Sequence, residues 1–150
     1  MLLNQSSAYF IPVEETRPLR LKILRPNQPY ESTIYPGDDN PETKHFGIIV
    51  DGAIVSVGSI YHEPPPGVLE TGYWRLRGMA TNTDMRARGY GSKILKCCTD
   101  YARNVGGKIL WCNARSSAVN FYVKAGLEIH GKEFDIPGIG AHYLMQVSLR

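Results

Sequence analysis

Arg86-Ala87-Arg88-Gly89-Tyr90-Gly91-Ser92 is a basic stretch punctuated by glycine. The residues before it, Tyr73 to Thr81, read as a strand. After it, Ile94, Leu95, Cys98, Ala102 and Val105 fall on one face of a helix at the 3.6-residue period. A turn of this kind leaves a row of backbone N–H groups at the positive end of a helix dipole, a geometry that holds phosphate. Glycine, lacking Cβ, lets the backbone approach an anion closely or take φ > 0. Taken alone, the same residues also describe a tight turn that caps a helix. Two familiar phosphate loops do not fit. Ile94 stands where a dinucleotide fingerprint needs its third glycine, and no Gly-Lys-Ser/Thr is present.

What remains is R-x-x-G-x-G between strand and helix. It resembles the acetyl-CoA pyrophosphate loop of the GNAT family of N-acetyltransferases, R/Q-x-x-G-x-G/A, with Arg86, Gly89 and Gly91 at the fixed positions. Met79-Ala80-Thr81 sits where that family carries an apolar strand end beside the pantetheine arm. Downstream, residues 113–127 look like the family's second cofactor element, A-x-x-F/L-Y-x-x-x-G-F. Ala118, Phe121, Tyr122 and Gly126 match it, and Leu127 replaces the usual Phe. The resemblance covers residues 73–149; ahead of these it rests on element order. It implies an α/β three-layer α-β-α fold around a central mixed, mostly antiparallel sheet, splayed at the cofactor site, with residues 1–150 as one acetyltransferase domain.

The resemblance also implies roles. Acetyl-CoA is the co-substrate, its pyrophosphate lying on the backbone N–H groups of Arg86, Ala87, Arg88, Gly89, Tyr90, Gly91 and Ser92. Its arm pairs with backbone groups of Met79 and Thr81, and an N–H near Met79 or Ala80 faces the thioester carbonyl. Arg86 and Arg88 add charge-assisted bonds to phosphate, or stand as solvated surface arginines. Tyr122 is the expected general acid, since a phenol of pKa near 10 is a proton donor at neutral pH. Phe121 is placed on the cofactor side. Arg115 occupies the position where the family often has an Asn for the arm, so that contact passes to Asn113 or Asn120.

No single general base is legible. Where the family often carries an acid, the strand before the loop offers Arg75, Arg77 and Gly78. Glu63, Glu70, Glu133, His142 or a water relay are the candidates for removing the acceptor's proton. The four histidines and three cysteines show no metal-ligand spacing, so no metal is expected.

Composition sets the outer limits. The chain has 150 residues, 43% hydrophobic and 21% charged, enough for one sizeable core. A net charge of +3 suits an anionic cofactor without arguing for nucleic acid or membrane. Cys97, Cys98 and Cys112 make an odd number with no pairing pattern, which predicts reduced thiols and a cytoplasmic setting. No apolar run reaches the length of a membrane span, and Met1 to Ala8 lacks the features of a signal peptide.

The remaining elements follow from local signals. Thr16 is expected to cap a helix with Pro18 in its first turn, ended by Pro26. Asn27 to Thr43 is a long irregular passage containing Asp38-Asp39: a substrate loop by the resemblance, or a solvated surface loop. Asp51-Gly52 predicts a type I′ hairpin between His45–Val50 and Ala53–Tyr61. A strand over 71–81, the loop, a helix closed by Gly106-Gly107, and a strand over 108–113 parallel to the first come next. Ser116 or Ser117 caps a helix ending at Gly126, and strands over 127–134 and 141–149 complete the chain.

These readings point to an N-acetyltransferase moving an acetyl group from acetyl-CoA to a primary amine, on a small molecule or peptide, by direct attack in a ternary complex. Transfer of a different acyl group, or an acyl-CoA-binding module without turnover, uses the same loop. Arg75, Arg77, Arg86 and Arg88 with Tyr73 and Trp74 would suit RNA, but the charge is small and no RNA motif is present. Asp38, Asp39, Glu42 and Glu70 either attract a cationic acceptor or are simply solvated. Homodimers occur in the family, and no residue here marks an interface.

Overall fold

The computed structural model describes residues 8–150. Its strands are β1 (Ala8–Phe10), β2 (Lys44–Val50), β3 (Ala53–Tyr61), β4 (Tyr73–Thr81), β5 (Ile109–Arg115), β6 (Glu128–Ile136) and β7 (Gly140–Ser148). They form one mixed sheet in the order β1-β2-β3-β4-β5-β7-β6. The helices are α1 (Arg17–Leu19), α2 (Tyr90–Asn104) and α3 (Val119–Lys124). The chain divides into two compact units. One comprises the described residues up to Tyr61 with Leu76–Tyr101; the other comprises His62–Arg75 with Ala102–Arg150.

In the first unit, β1, β2 and β3 pair antiparallel. The β2–β3 turn is the predicted one, with φ of 50° at Asp51 and 81° at Gly52, as a type I′ turn requires. Alternation places successive side chains on opposite faces. Val57 and Ala80 pack with Leu19 of α1 on one face. Gly58 and Met79 meet Ile94 of α2 on the other, so this unit carries helix, sheet and helix in three layers. Gly58 is a glycine for want of space: a Cβ there would lie 2.4 Å from Ile94 Cγ2 and 2.7 Å from Met79 Sδ. Along α2, Ile94, Leu95, Cys98 and Ala102 are buried as the period predicts, whereas Val105 lies beyond the helix and is half exposed.

The first helix departs from expectation. It opens as a 3-10 turn over Val13–Thr16 behind Pro12, runs through α1, and widens to a π-helical stretch over Arg20–Leu24. Thr16 does not cap it; its Oγ1 donates back to the Val13 carbonyl at 2.6 Å. The Arg25 N–H closes the wide turn on the Arg20 carbonyl at 2.9 Å. Asn27 to Thr43 is also more ordered than predicted, with a 3-10 turn at Tyr30–Thr33 and buried Thr33, Tyr35 and Asp38.

In the second unit, β5 pairs antiparallel with β7, and β7 with β6, which is outermost. The parallel ladder of β4 with β5 holds three pairs, Tyr73↔Ile109, Trp74↔Leu110 and Arg75↔Trp111. Gly106 (φ 89°) and Gly107 close α2 by donating to Arg103 and Ala102 carbonyls, the expected glycine cap. Gly126 (φ 97°) ends α3 in the same way. Neither Ser116 nor Ser117 caps α3. A 3-10 turn at Ser116–Ala118 precedes it, and Ser116 Oγ donates to Glu133 Oε2 at 2.7 Å.

Candidate functional site

The loop between β4 and α2 has the backbone that the sequence suggested, with one amide fewer. Asn82 N–H is anchored on the Val55 carbonyl at 2.7 Å, and a 3-10 turn follows at Thr83–Met85. Arg86 is extended and its N–H points back to the Thr83 carbonyl at 3.4 Å, so it does not join the free row. Ala87 (φ 64°) and Gly89 (φ 79°) both take left-handed backbone, which turns the chain into α2. The Gly89 carbonyl accepts the Lys93 N–H at 3.1 Å, opening the helix. Among the described residues, the N–H groups of Ala87, Arg88, Gly89, Tyr90, Gly91 and Ser92 donate to no backbone acceptor. Nothing lies within 4 Å of where a Cβ on Gly89 would sit. Arg86 and Arg88 are exposed and form no ion pair among the described residues. Six consecutive amide donors at the positive end of a fifteen-residue helix, with two exposed arginines in the same loop, fit a diphosphate.

Met79, Ala80 and Thr81 are fixed by packing immediately upstream. Met79 lies over Gly58, Ala80 is 4% exposed against Leu19, and Thr81 Oγ1 bonds Ser56 Oγ at 2.8 Å. One residue earlier, β4 breaks its alternation. Arg77 sets its guanidinium 4.2 Å from the centroid of the Tyr35 ring. A Cβ on Gly78 would lie 3.4 Å from Tyr35 Cε2 and 3.2 Å from Arg20 Nε. Consecutive residues thus face the same partner. Gly78 (φ 72°) absorbs the irregularity, as bulged strands do.

Sequence reasoning missed what fills that face. Arg20 is fully buried and Asp38 nearly so, and they pair through Nη1–Oδ2 at 2.8 Å and Nη2–Oδ1 at 3.2 Å. Arg20 also donates to the Thr33 carbonyl, Ser59 Oγ and Tyr61 Oη. Asp38 accepts from the Tyr35 N–H and from Tyr61 Oη. Burial alone would raise the Asp38 pKa, yet the bonds from Arg20, Tyr61 and Tyr35 outweigh it and hold the carboxyl below its ordinary value. Burial pushes the Tyr61 phenol well up. His45 completes the set. Its Nε2 faces the Asp38 carbonyl at 3.1 Å, so that nitrogen carries the proton, and Nδ1 accepts from Ser59 Oγ at 2.6 Å. Burial lowers the His45 pKa and keeps the ring neutral. Asp38 is therefore a structural partner, not a solvated acid that draws in an acceptor. No local signal pairs a helix arginine with a loop aspartate; their separation in sequence hides them.

In the second unit, Tyr122 is 8% exposed on α3, with Phe121 edge-on at 5.0 Å. Asn113 is half-buried on β5, opposite Leu144 of β7. Three of the proposed bases are engaged. Glu63 Oε2 accepts Arg75 Nη1 at 3.0 Å, Glu133 accepts from Ser116, and buried His142 donates from Nδ1 to the Gly140 carbonyl at 2.7 Å. Glu70 is exposed. Burial pushes the Cys112 thiol up to about 12 and Cys98 beyond it, so neither is a nucleophile at neutral pH. Among the described residues no three His, Cys, Asp or Glu side chains gather as a metal site, and no helix is long and apolar enough to cross a membrane.

The chain is an acyltransferase: it belongs to the acetyltransferase (GNAT) family, whose model matches residues 8–127. The donor of that family is acetyl-CoA. The chain is 38% identical over 140 residues to the uncharacterized N-acetyltransferase YitI of Bacillus subtilis (strain 168), covering 93% of this chain and 94% of the relative. Its fold is shared with an aminoglycoside 6'-N-acetyltransferase complexed with coenzyme A (TM-score 0.76, 12% identity, 95% and 97% covered). It is shared equally with Escherichia coli ElaA (TM-score 0.76, 15% identity, 93% and 97% covered).

Proposed function

We propose that the chain, acting as one catalytic domain, transfers an acetyl group from acetyl-CoA to a primary amine by direct attack within a ternary complex. The observation that carries this reading is the row of uncommitted amides from Ala87 to Ser92 at the start of α2. Those amides, with Arg86 and Arg88, hold the diphosphate. The ladder of β4 with β5 ends at Arg75, which leaves the Met79–Thr81 backbone to take the pantetheine arm as an added strand and to donate an N–H to the thioester carbonyl. When bound, the thioester supplies an activated acyl group. Tyr122 protonates the departing thiolate, and Asn113 and Phe121 border the arm. The free thiols of Cys97, Cys98 and Cys112 are in keeping with a reducing cytoplasm.

Acetyl-CoA titration followed by thiol release across an amine panel tests this. Tyr122→Phe is expected to lower turnover at least about tenfold, as loss of a general acid does, with acetyl-CoA affinity nearly unchanged. Gly89→Val is expected to weaken acetyl-CoA binding, because a branched side chain resists the left-handed backbone and intrudes on the open approach. Full affinity in Gly89→Val, or no binding by the unaltered protein at millimolar acetyl-CoA, would overturn the assignment.

A further inference from the structure

A pocket of about 310 Å³ opens in the first unit, where β1 runs into the turn that starts the first helix. The volume is that of about ten waters and suits a small organic molecule. Phe10, Ile11, Pro12 and Val13 form an apolar wall. The Phe10 ring packs on Phe46 at 4.9 Å and Tyr101 at 6.1 Å, yet it is 63% exposed. The polar wall is Asp38, Thr43, Lys44 and His45, and its acceptors are largely spent. Asp38, the one acid of the lining, has both oxygens on Arg20, and both ring nitrogens of His45 are engaged. Thr43 Oγ1 donates to the Gly37 carbonyl at 2.7 Å. Glu14, Glu15 and Glu42 are exposed and lie outside the lining. A cationic ligand therefore finds no uncommitted carboxylate in the pocket.

The donors are differently placed. Lys44 Nζ, with three protons to give, makes a single long bond to the Pro41 carbonyl at 3.4 Å. Arg17 stands one turn on from Val13, close enough to His45 to disfavour a protonated ring. Its guanidinium makes no hydrogen bond or ion pair among the described residues, and Nε is buried without a partner. A buried donor left in this state is costly and rare in a native protein. The pocket also stands apart from the coenzyme loop. That loop is anchored on Val55 of β3, whereas His45 pairs with Ser59, about 13 Å further along the same strand.

We propose that this pocket is a second binding site, separate from acetyl transfer, for a small carboxylate with an apolar body. The hydrocarbon lies against Phe10, Ile11, Pro12 and Val13, and Lys44 and Arg17 hold the carboxylate. Charge-assisted bonds from these two cations supply orientation, and covering the exposed side of Phe10 supplies apolar burial. Inorganic phosphate leaves that wall uncovered, and an amine meets two cations of its own sign.

Hexanoate and 4-phenylbutyrate, titrated into the full chain against hexanamide, 4-phenylbutyramide, hexylamine and inorganic phosphate, read the proposal directly. Calorimetry gives the affinities and backbone amide NMR gives the place. The carboxylates are expected to bind at least about tenfold more tightly than their amides, the size of one charge-assisted hydrogen bond. Shifts should gather at Phe10, Ile11, Val13 and Thr43 to His45. Lys44→Gln and Arg17→Gln should each weaken the carboxylates about tenfold and the amides little, with coenzyme A affinity unchanged. Phe10→Ala should weaken 4-phenylbutyrate. Equal affinity for acid and amide, tighter binding of hexylamine, or phosphate binding as well as the carboxylates overturns the proposal. So do shifts that gather at Ala87 to Ser92, or competition by coenzyme A, since either puts the ligand on the coenzyme loop. Absence of binding by the unaltered protein at millimolar carboxylate refutes the site whatever the variants do. That result leaves the acetyltransferase reading intact, and failure to bind acetyl-CoA would sink that reading without touching the pocket.

Discussion

Removing one partner of the Arg20–Asp38 pair leaves a buried charge without its counter-ion. Asp38→Asn is therefore expected to destabilise the protein by about 3–5 kcal/mol, measured by urea unfolding. Arg20→Met combined with Asp38→Asn should cost less than the sum of the two single changes, because the two residues share one interaction. Strict additivity would mean that the pair is not coupled. At this scale the sequence was informative where chemistry lies in one continuous stretch. Arg86, Gly89 and Gly91 announce their loop because the backbone geometry they permit is local. Arg20, Asp38, Ser59, Tyr61 and His45 are brought together only by the fold, and nothing near Asp38 in the sequence distinguishes a buried partner of Arg20 from an acid that attracts an acceptor or is simply solvated.

Elements were legible in proportion to how strongly period and punctuation agreed. Asp51-Gly52 set its hairpin, and the apolar stripe of α2 ended at its glycine cap. The first helix departs from its sequence signals because Thr16 and Pro18 imitate a helix start that lies earlier, behind Pro12, and no simple periodicity describes a segment passing from 3-10 through α to π winding. Gly58 was equally silent, since its reason is the neighbour opposite. Gly58→Ala should cost about 1–3 kcal/mol through overpacking against Ile94 and Met79. The penalty should shrink in an Ile94→Ala background, where the clashing methyl is gone. Thermal melts of the two singles and the double separate steric conflict from a general loss of strand propensity.

For the whole molecule, the buried cluster fixes the direction of the pH response. The His45 pKa is lowered on folding, so below its ordinary value of about 6.5 the unfolded chain binds a proton that the native one refuses, and stability falls with pH. The Asp38 pKa is lowered as well, so its contribution is complete above the ordinary value of 3.8 and is lost as pH drops through the native value. Melting temperature should hold above pH 6.5 and decline in two stages on acidification; His45→Gln is expected to flatten the upper stage. The outermost strand, β6, has a different consequence. A sheet margin left bare invites other chains to stack onto it. Here Lys132, Glu133 and Asp135 stand along that margin beside half-exposed Ile129 and Phe134, and the pairing with β7 slips between His130 and Phe134. The rim is thereby kinked and studded with both signs of charge, so that crowded copies of the enzyme find no flat ribbon to extend.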